Sequence, residues 1–107
     1  MVAESVTLIV RRYLRAVQAA GIQAHRGVVF GSYARGQAGP WSDIDLVVIA
    51  RELESPPDRP LVDKLWQLRA TTDARIEPIA CGEREWETDG ARPILELARR
   101  EGVVIEA

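Results

Sequence analysis

Two carboxylates alternate with large apolar residues in the stretch 41–49, where Asp43 and Asp45 flank Ile44. In an extended strand, residues two apart point to the same face at a rise of roughly 3.3 Å per residue, so these side chains would lie roughly 6–7 Å apart. An ordinary core strand avoids this arrangement, because a buried carboxylate without a partner is very costly. Cations between the two carboxylates would relieve their repulsion, and hard cations such as Mg²⁺ take oxygen ligands. The spacing therefore predicts a magnesium site at Asp43 and Asp45.

A phosphate-binding turn is predicted upstream of this pair, at Gly31 and Ser32. Glycine has no side chain to block the approach of a ligand to the backbone. The segment 32–37 is predicted to begin a short helix with Ser32 as its capping residue. The free N–H groups and positive dipole end of such a helix would face an anion. Arg35 is a further candidate for a phosphate contact, and a solvated arginine explains it equally well.

A third carboxylate on a neighbouring strand would complete a site for two metal ions, and Glu77 is the candidate. It lies in the apolar segment 75–80, which is predicted to be a strand. Two metal ions roughly 3.5–4 Å apart can stabilise both the attacking and the leaving oxygen of an in-line displacement. Asp43, Asp45 and Glu77 are therefore the predicted metal ligands and catalytic carboxylates.

Alternating helices and strands are predicted to position these residues. Apolar residues at helical spacing predict a helix over residues 6–17, ended by Gly21. Pro93 and Gly102 bracket a predicted helix over 93–101. Pro78 cannot donate to a strand ladder, which favours a sheet edge or a strand end for the segment that contains it. The other predicted elements are strands at 27–30, 44–50, 75–80 and 103–105, a loop at 51–60 and a helix from Leu61 to about Thr71. The fold class is α/β.

Composition narrows the class of protein. The chain has 107 residues, of which 47% are hydrophobic and 28% charged, as expected for one globular domain. A net charge of −2 argues against general nucleic-acid binding. The single cysteine, Cys81, excludes an internal disulfide and a structural zinc cluster. No membrane-spanning segment or signal peptide is predicted, so a cytoplasmic location is the default expectation. Trp41 is expected to be a packing residue.

The two motifs together resemble the signature of a known family. They are Phe30-Gly-Ser-Tyr-Ala-Arg-Gly36 and Ser42-Asp-Ile-Asp-Leu-Val-Val48. This combination is similar to the nucleotidyltransferase superfamily related to DNA polymerase beta. More narrowly, the chain resembles the minimal nucleotidyltransferases, short proteins often paired with a HEPN-domain partner. The resemblance extends over nearly the whole chain, so residues 1–107 are interpreted as one nucleotidyltransferase domain.

The resemblance implies a mixed β-sheet flanked by helices, a requirement for Mg²⁺, and transfer of a nucleoside monophosphate from a nucleoside triphosphate, with ATP as the expected donor. In such families a glycine–serine pair contacts the triphosphate, and three acidic residues bind two metal ions. Carried onto this chain, the pair is Gly31 and Ser32, and the acids are Asp43, Asp45 and Glu77.

The third acidic position departs from the family pattern. It is commonly an aspartate, whereas Glu77 is a glutamate followed by Pro78. Asp73 is the competing choice, although it precedes the predicted strand instead of alternating within it. If neither residue reaches the metals, the protein would bind a nucleotide but transfer poorly.

The acceptor of the nucleotidyl group is inferred from the size of the chain and from the resemblance. Larger relatives carry extra domains to hold the acceptor, so a short domain is expected to share its acceptor site with another molecule. The resemblance implies a HEPN-type toxin whose tyrosine would be adenylylated, with this protein as the antitoxin. Two alternatives stay open. A module of the same fold would neutralise its partner by contact alone, or a homodimer would form a cleft for a small hydroxylated acceptor.

Overall fold

The computed structural model describes residues 2–88 and 92–107 of the chain. The α/β class predicted above is confirmed. Among the described residues, none of the helices has the length and apolar character needed to cross a membrane. The helices are α1 (Glu4–Ala19), α2 (Arg59–Leu68), α3 (Glu83–Glu87) and α4 (Pro93–Glu101), and the strands are β1 (Arg26–Phe30), β2 (Ile44–Ile49), β3 (Ile76–Cys81) and β4 (Val103–Glu106).

The four strands form one mixed sheet in the order β3-β2-β1-β4. Strand β1 is antiparallel to both β2 and β4, whereas β2 and β3 are parallel. Parallel neighbours require a crossover connection, and here α2 supplies it. Strand β3 lies at an edge, where Pro78 is tolerated because an edge strand needs only part of its backbone donors. The mixed sheet and the edge position of Pro78 are as predicted.

Strand β2 is buried on both faces and divides the core into two parts. Its residues Ile44, Leu46 and Val48 belong to a core that includes the apolar stripe of α1 and Leu65 of α2. Its residues on the opposite face, Val47 and Ile49, pack in a second core with α4. Side chains alternate between faces along a strand, so Asp45 lies on the same face as Val47. The fold therefore directs Asp45 toward the side of the sheet that α4 covers.

The connection between β1 and β2 differs from its prediction. The expected helix over 32–37 with Ser32 as its cap is wrong: a single 3-10 turn spans Gly31–Tyr33. The N–H groups of Ala34 and Arg35 both donate to the Gly31 carbonyl, and the chain then reverses at Gly36, whose φ is +71°. An extended helix dipole is therefore not available at this turn.

Two other boundaries differ as well. The predicted loop over 51–60 ends at Asp58, because Pro60 lies in the first turn of α2, where a missing N–H costs nothing. That loop also contains a 3-10 turn at Arg51–Leu53. Helix α3 was not predicted at all, since five residues are too few to show an apolar stripe.

We predict that Tyr13→Phe destabilises the fold by about 1–2 kcal/mol, because it leaves a buried acceptor without its donor. The Tyr13 hydroxyl is buried between α1 and α2 and donates to the Leu65 carbonyl over 2.6 Å. Urea unfolding monitored by circular dichroism measures the change. Tyr33→Phe is the matched control, because the Tyr33 hydroxyl is only part-buried and accepts from Arg75, which keeps its partner Asp73. Equal losses in the two variants would contradict the prediction.

Candidate functional site

The two predicted aspartates lie at the start of the central strand. Asp43 is exposed and immediately precedes β2, whereas Asp45 is the second residue of the strand and is partly buried. Asp45 is paired with Phe30 of β1 on one side and with Glu77 of β3 on the other. Three carboxylates on two adjacent chain segments therefore lie at the same end of the sheet.

A close approach between Asp45 and Gly31 defines the centre of this site. Gly31 has a φ of +75°, a conformation that side-chain-bearing residues rarely adopt. A Cβ atom at Gly31 would lie only 2.3 Å from the Asp45 Oδ2. Glycine was predicted to admit a ligand to the backbone, and in the structure it admits the carboxylate of the adjacent strand. The glycine motif and the aspartate motif are thus two sides of one contact.

The structure separates the two candidates for the third carboxylate. Glu77 lies beside Asp45 in the strand register, and its carboxyl interacts electrostatically with that of Asp43. Loss of solvent, followed by the negative charge of Asp43, raises the pKa of Glu77. Asp73 instead pairs with Arg75 through two contacts of 3.0 and 2.9 Å, and this guanidinium lowers the pKa of Asp73. The geometry favours Glu77.

Negative charge is concentrated around Asp45. Burial raises the pKa of this carboxyl, and repulsion from Asp43 and from Glu101 raises it further. The Arg35 guanidinium acts in the opposite direction. Carboxylates held together in this way repel one another unless a cation or a proton intervenes. A bound cation or a proton would therefore relieve the repulsion in this cluster.

The donor atoms fit magnesium in their chemistry, because all three are hard carboxylate oxygens. In residues 2–88 and 92–107, however, no group of three or more His, Cys, Asp or Glu side chains is arranged to hold a metal ion. Mg²⁺ is usually bound through one or two carboxylates together with substrate phosphates and water, so a preformed cage is not required. Asp43, Asp45 and Glu77 would thus supply part of the coordination, and a nucleotide would supply the rest.

Two of the predicted phosphate-binding groups, at Gly31 and Arg35, donate hydrogen bonds to the carboxylate of Glu101, which was not predicted to lie there. The Gly31 N–H donates to the Glu101 Oε1 over 3.0 Å, and the Arg35 Nη1 donates to the same oxygen over 3.0 Å. Ser32 is next to this point in the 3-10 turn and is partly buried. Glu101 is the last residue of α4, so the sequence contains no local signal that it lies beside Gly31. Gly31 and Arg35 thus donate to one oxygen, with Ser32 next to Gly31 in the turn, and their contact with a phosphate stays a prediction.

Trp41 does not pack in the core, contrary to its prediction. Its side chain is 93% exposed, and it precedes Asp43 by two positions. The segment 34–43 is a series of turns held by a few local hydrogen bonds, such as that from the Gly39 N–H to the Ser42 Oγ. A large aromatic ring is therefore exposed to solvent two positions before Asp43.

We predict that Asp45→Asn stabilises the metal-free protein at pH 7 by about 1 kcal/mol, the usual size of gain when an unfavourable charge is removed. The pKa of Asp45 is raised in the folded state, so its charged form opposes folding above that pKa. The gain should shrink as the pH falls through the folded pKa and vanish below the unfolded value of about 3.9, where the carboxyl is protonated in both states.

Urea unfolding in EDTA at several pH values measures this difference. Asp63→Asn on α2 is the matched control, because Asp63 is exposed and only 3.9 Å from Arg59 in a surface ion pair. A lower stability of Asp45→Asn at pH 7 would show that the carboxylate is compensated in the folded protein, against the prediction.

Two solved structures share this fold. A Sulfolobus solfataricus protein described as a nucleotidyltransferase is 16% identical, with a TM-score of 0.59 over 92% of this chain and 77% of the other. A toxin–antitoxin with AMP-PNP is 22% identical, with a TM-score of 0.59 over 88% of this chain and 70% of the other. At these identities the likeness shows the fold alone.

Sequence comparison supplies the assignment. No curated protein sequence matches the chain significantly. The family model for the nucleotidyltransferase domain matches residues 10–94, which include the glycine turn, both aspartates and Glu77. Because this match extends over most of the chain, the protein belongs to the nucleotidyltransferase domain family.

Proposed function

We propose that residues 1–107 act as one magnesium-dependent nucleotidyltransferase domain that transfers AMP from ATP to a hydroxyl acceptor. The observation that carries this proposal is the contact of Asp45 with Gly31, with Glu77 alongside. The carboxylates that we propose as metal ligands thus lie next to the glycine of the proposed phosphate turn, and this proximity supports the proposal. A metal-bridged polyphosphate needs both features at the same place.

Each residue has a specific role in the proposed reaction. Asp43, Asp45 and Glu77 would hold two Mg²⁺ ions, which neutralise phosphate charge and lower the pKa of a bound hydroxyl. Glu77 also accepts the proton of the acceptor hydroxyl, because it lies beside Asp45 at the end of the sheet where the acceptor would reach the metal ions. The hydroxyl oxygen then attacks the α-phosphorus, and the bond from that phosphorus to the β-phosphate oxygen breaks. Pyrophosphate leaves.

The triphosphate is bound by the turn that precedes the carboxylates. The Gly31 N–H and the Ser32 hydroxyl are donors to its β- and γ-phosphate oxygens, and Arg35 adds a positive charge on the solvent side. The choice of ATP over other donors is supported by the fold that this chain shares with a toxin–antitoxin structure containing AMP-PNP, an analogue of ATP.

We further propose that the acceptor is a tyrosine of a HEPN-type toxin, and that the protein acts as its antitoxin. The likeness to a toxin–antitoxin structure supports this choice. The exposure of Asp43 and Trp41 also supports it, because a protein acceptor must reach the metal-binding carboxylates from solvent. Exposed tryptophans are frequent anchors of protein interfaces.

We predict that Asp43→Asn and Glu77→Gln each lower the rate of AMP transfer by about 100-fold or more, the size of effect seen when one charge-stabilising group is lost from an active site. Asp73→Asn, which removes a carboxylate already paired with Arg75, should retain most of the activity. The assay measures pyrophosphate release from ATP and Mg²⁺ in the presence of the acceptor. Equal losses in Asp73→Asn and Glu77→Gln would remove the preference for Glu77.

We also predict that labelled ATP and Mg²⁺ transfer label to a tyrosine of the HEPN partner, and that the label disappears with Asp43→Asn. The measurement is intact-mass and peptide mass spectrometry of the partner. If Asp43→Asn still inhibits the toxin without labelling it, neutralisation occurs by binding alone and the catalytic antitoxin is ruled out. If a small hydroxylated molecule is labelled and the partner is not, the acceptor class is wrong.

A further inference from the structure

Glu101 binds the two groups that the proposed function assigns to the nucleotide. Its Oε1 accepts the Gly31 N–H and the Arg35 Nη1, each over 3.0 Å. This oxygen accepts hydrogen bonds from a backbone N–H and from a guanidinium N–H. A phosphate oxygen at the same place would accept the same two hydrogen bonds. Glu101 is thus an internal anion in the predicted phosphate site.

The position of Glu101 is set by the packing of α4 and β4. Its side chain is 22% exposed, and the next residue, Gly102, starts the sharp connection to β4. A Cβ atom at Gly102 would lie 2.3 Å from the Ala98 carbonyl oxygen and 2.4 Å from Val28 Cγ1. The end of α4 therefore packs closely against β1, and the Glu101 side chain reaches the Gly31 N–H from there. The contact of Glu101 with Gly31 thus depends on how α4 packs on the sheet, and the Glu101 side chain is only 22% exposed.

The location of this carboxylate is electrostatically unfavourable in one respect. It adds negative charge to a cluster that already contains Asp43 and Asp45, and it contributes to the repulsion around Asp45. Arg35 and the Gly31 N–H compensate for it. A triphosphate that binds to the same two donors brings several negative charges beside Glu101, so the carboxylate and the phosphate cannot both stay in place without strong repulsion.

We propose that Glu101 is an internal competitor for the phosphate site, which a nucleoside triphosphate must displace from Gly31 and Arg35 in order to bind. This inference rests on the proposed function. In the nucleotide-free protein Glu101 occupies both donors, and its negative charge lowers the affinity for the nucleotide. The side chain swings away on binding, while the α4 backbone stays packed on β1.

Isothermal titration of the full chain with AMP-PNP and Mg²⁺ tests the competition. Glu101→Gln keeps an amide oxygen that can accept the Gly31 N–H but removes the charge. It should bind about 2- to 5-fold more tightly than the wild type, the size of a partly exposed ion pair, and the difference should shrink at high salt. Glu96→Gln is the matched control, because Glu96 is an exposed residue of α4 whose carboxylate pairs with Arg99 over 3.5 Å. It should bind as the wild type does.

A purely structural role for Glu101 gives the opposite result. Weaker or unchanged binding by folded Glu101→Gln would overturn the proposal while leaving the proposed function intact. If neither the wild type nor the variant binds AMP-PNP, the proposed function itself fails, and the competition fails with it. In an Arg35→Gln background the effect of Glu101→Gln should decrease, since one of the two contested donors is gone; an undiminished effect would overturn the proposal.

Nuclear magnetic resonance of the wild-type protein keeps the test independent of how the variants fold. Saturation with AMP-PNP and Mg²⁺ should shift both the Gly31 amide and the Glu101 side-chain carboxyl carbon. A shift of the amide with an unchanged Glu101 carboxyl would show that the nucleotide and Glu101 bind without competition, and the proposal would be overturned.

Discussion

The close approach of Asp45 to Gly31 is the constraint on which the rest of the site depends. A Cβ atom at Gly31 has no room, and the positive φ of that residue already excludes most side chains. The approach is possible because β1 and β2 are antiparallel with Phe30 opposite Asp45. Any shift in this register by one residue would turn Asp45 to the other face, into the core between the sheet and α1. The pairing of β1 with β2 therefore also determines whether Asp45 lies beside Gly31.

The same constraint has a cost in stability. Three carboxylates and Glu101 lie around one end of the sheet, and both Asp45 and Glu77 have raised pKa values. The rest of the fold compensates through a core in which β2 is buried on both faces. Proteins often retain a destabilised cluster where function needs it, because the remaining structure supplies enough free energy of folding. In a nucleotidyltransferase, cations and phosphate would be the natural neutralising partners.

Local sequence signals predicted most of the framework. Helix α4 begins at Pro93 and ends just before Gly102, as predicted. Proline favours the first position of a helix and glycine the position after its end, and both preferences depend only on the local backbone. The short turn after Gly31 was misjudged because Ser32 is a favourable cap in any helix, whereas the positive φ of Gly36 ends the turn after one step. Trp41 was expected to be a packing residue, but its place in a loop of consecutive turns leaves its side chain 93% exposed.

The sequence by itself determined the family, whose model matches residues 10–94. It also contains the two motifs from which the site was predicted, a glycine–serine turn and two aspartates at alternate positions. These are local patterns, and short spacing translates directly into local geometry. Only the tertiary structure showed that Glu77 lies beside Asp45, because that position depends on which strand lies next to β2 and in which register. Only the tertiary structure brought Glu101 to Gly31, across 70 positions of the chain. A contact between residues so far apart in the chain depends on how α4 packs on the sheet, and short sequence patterns do not predict it.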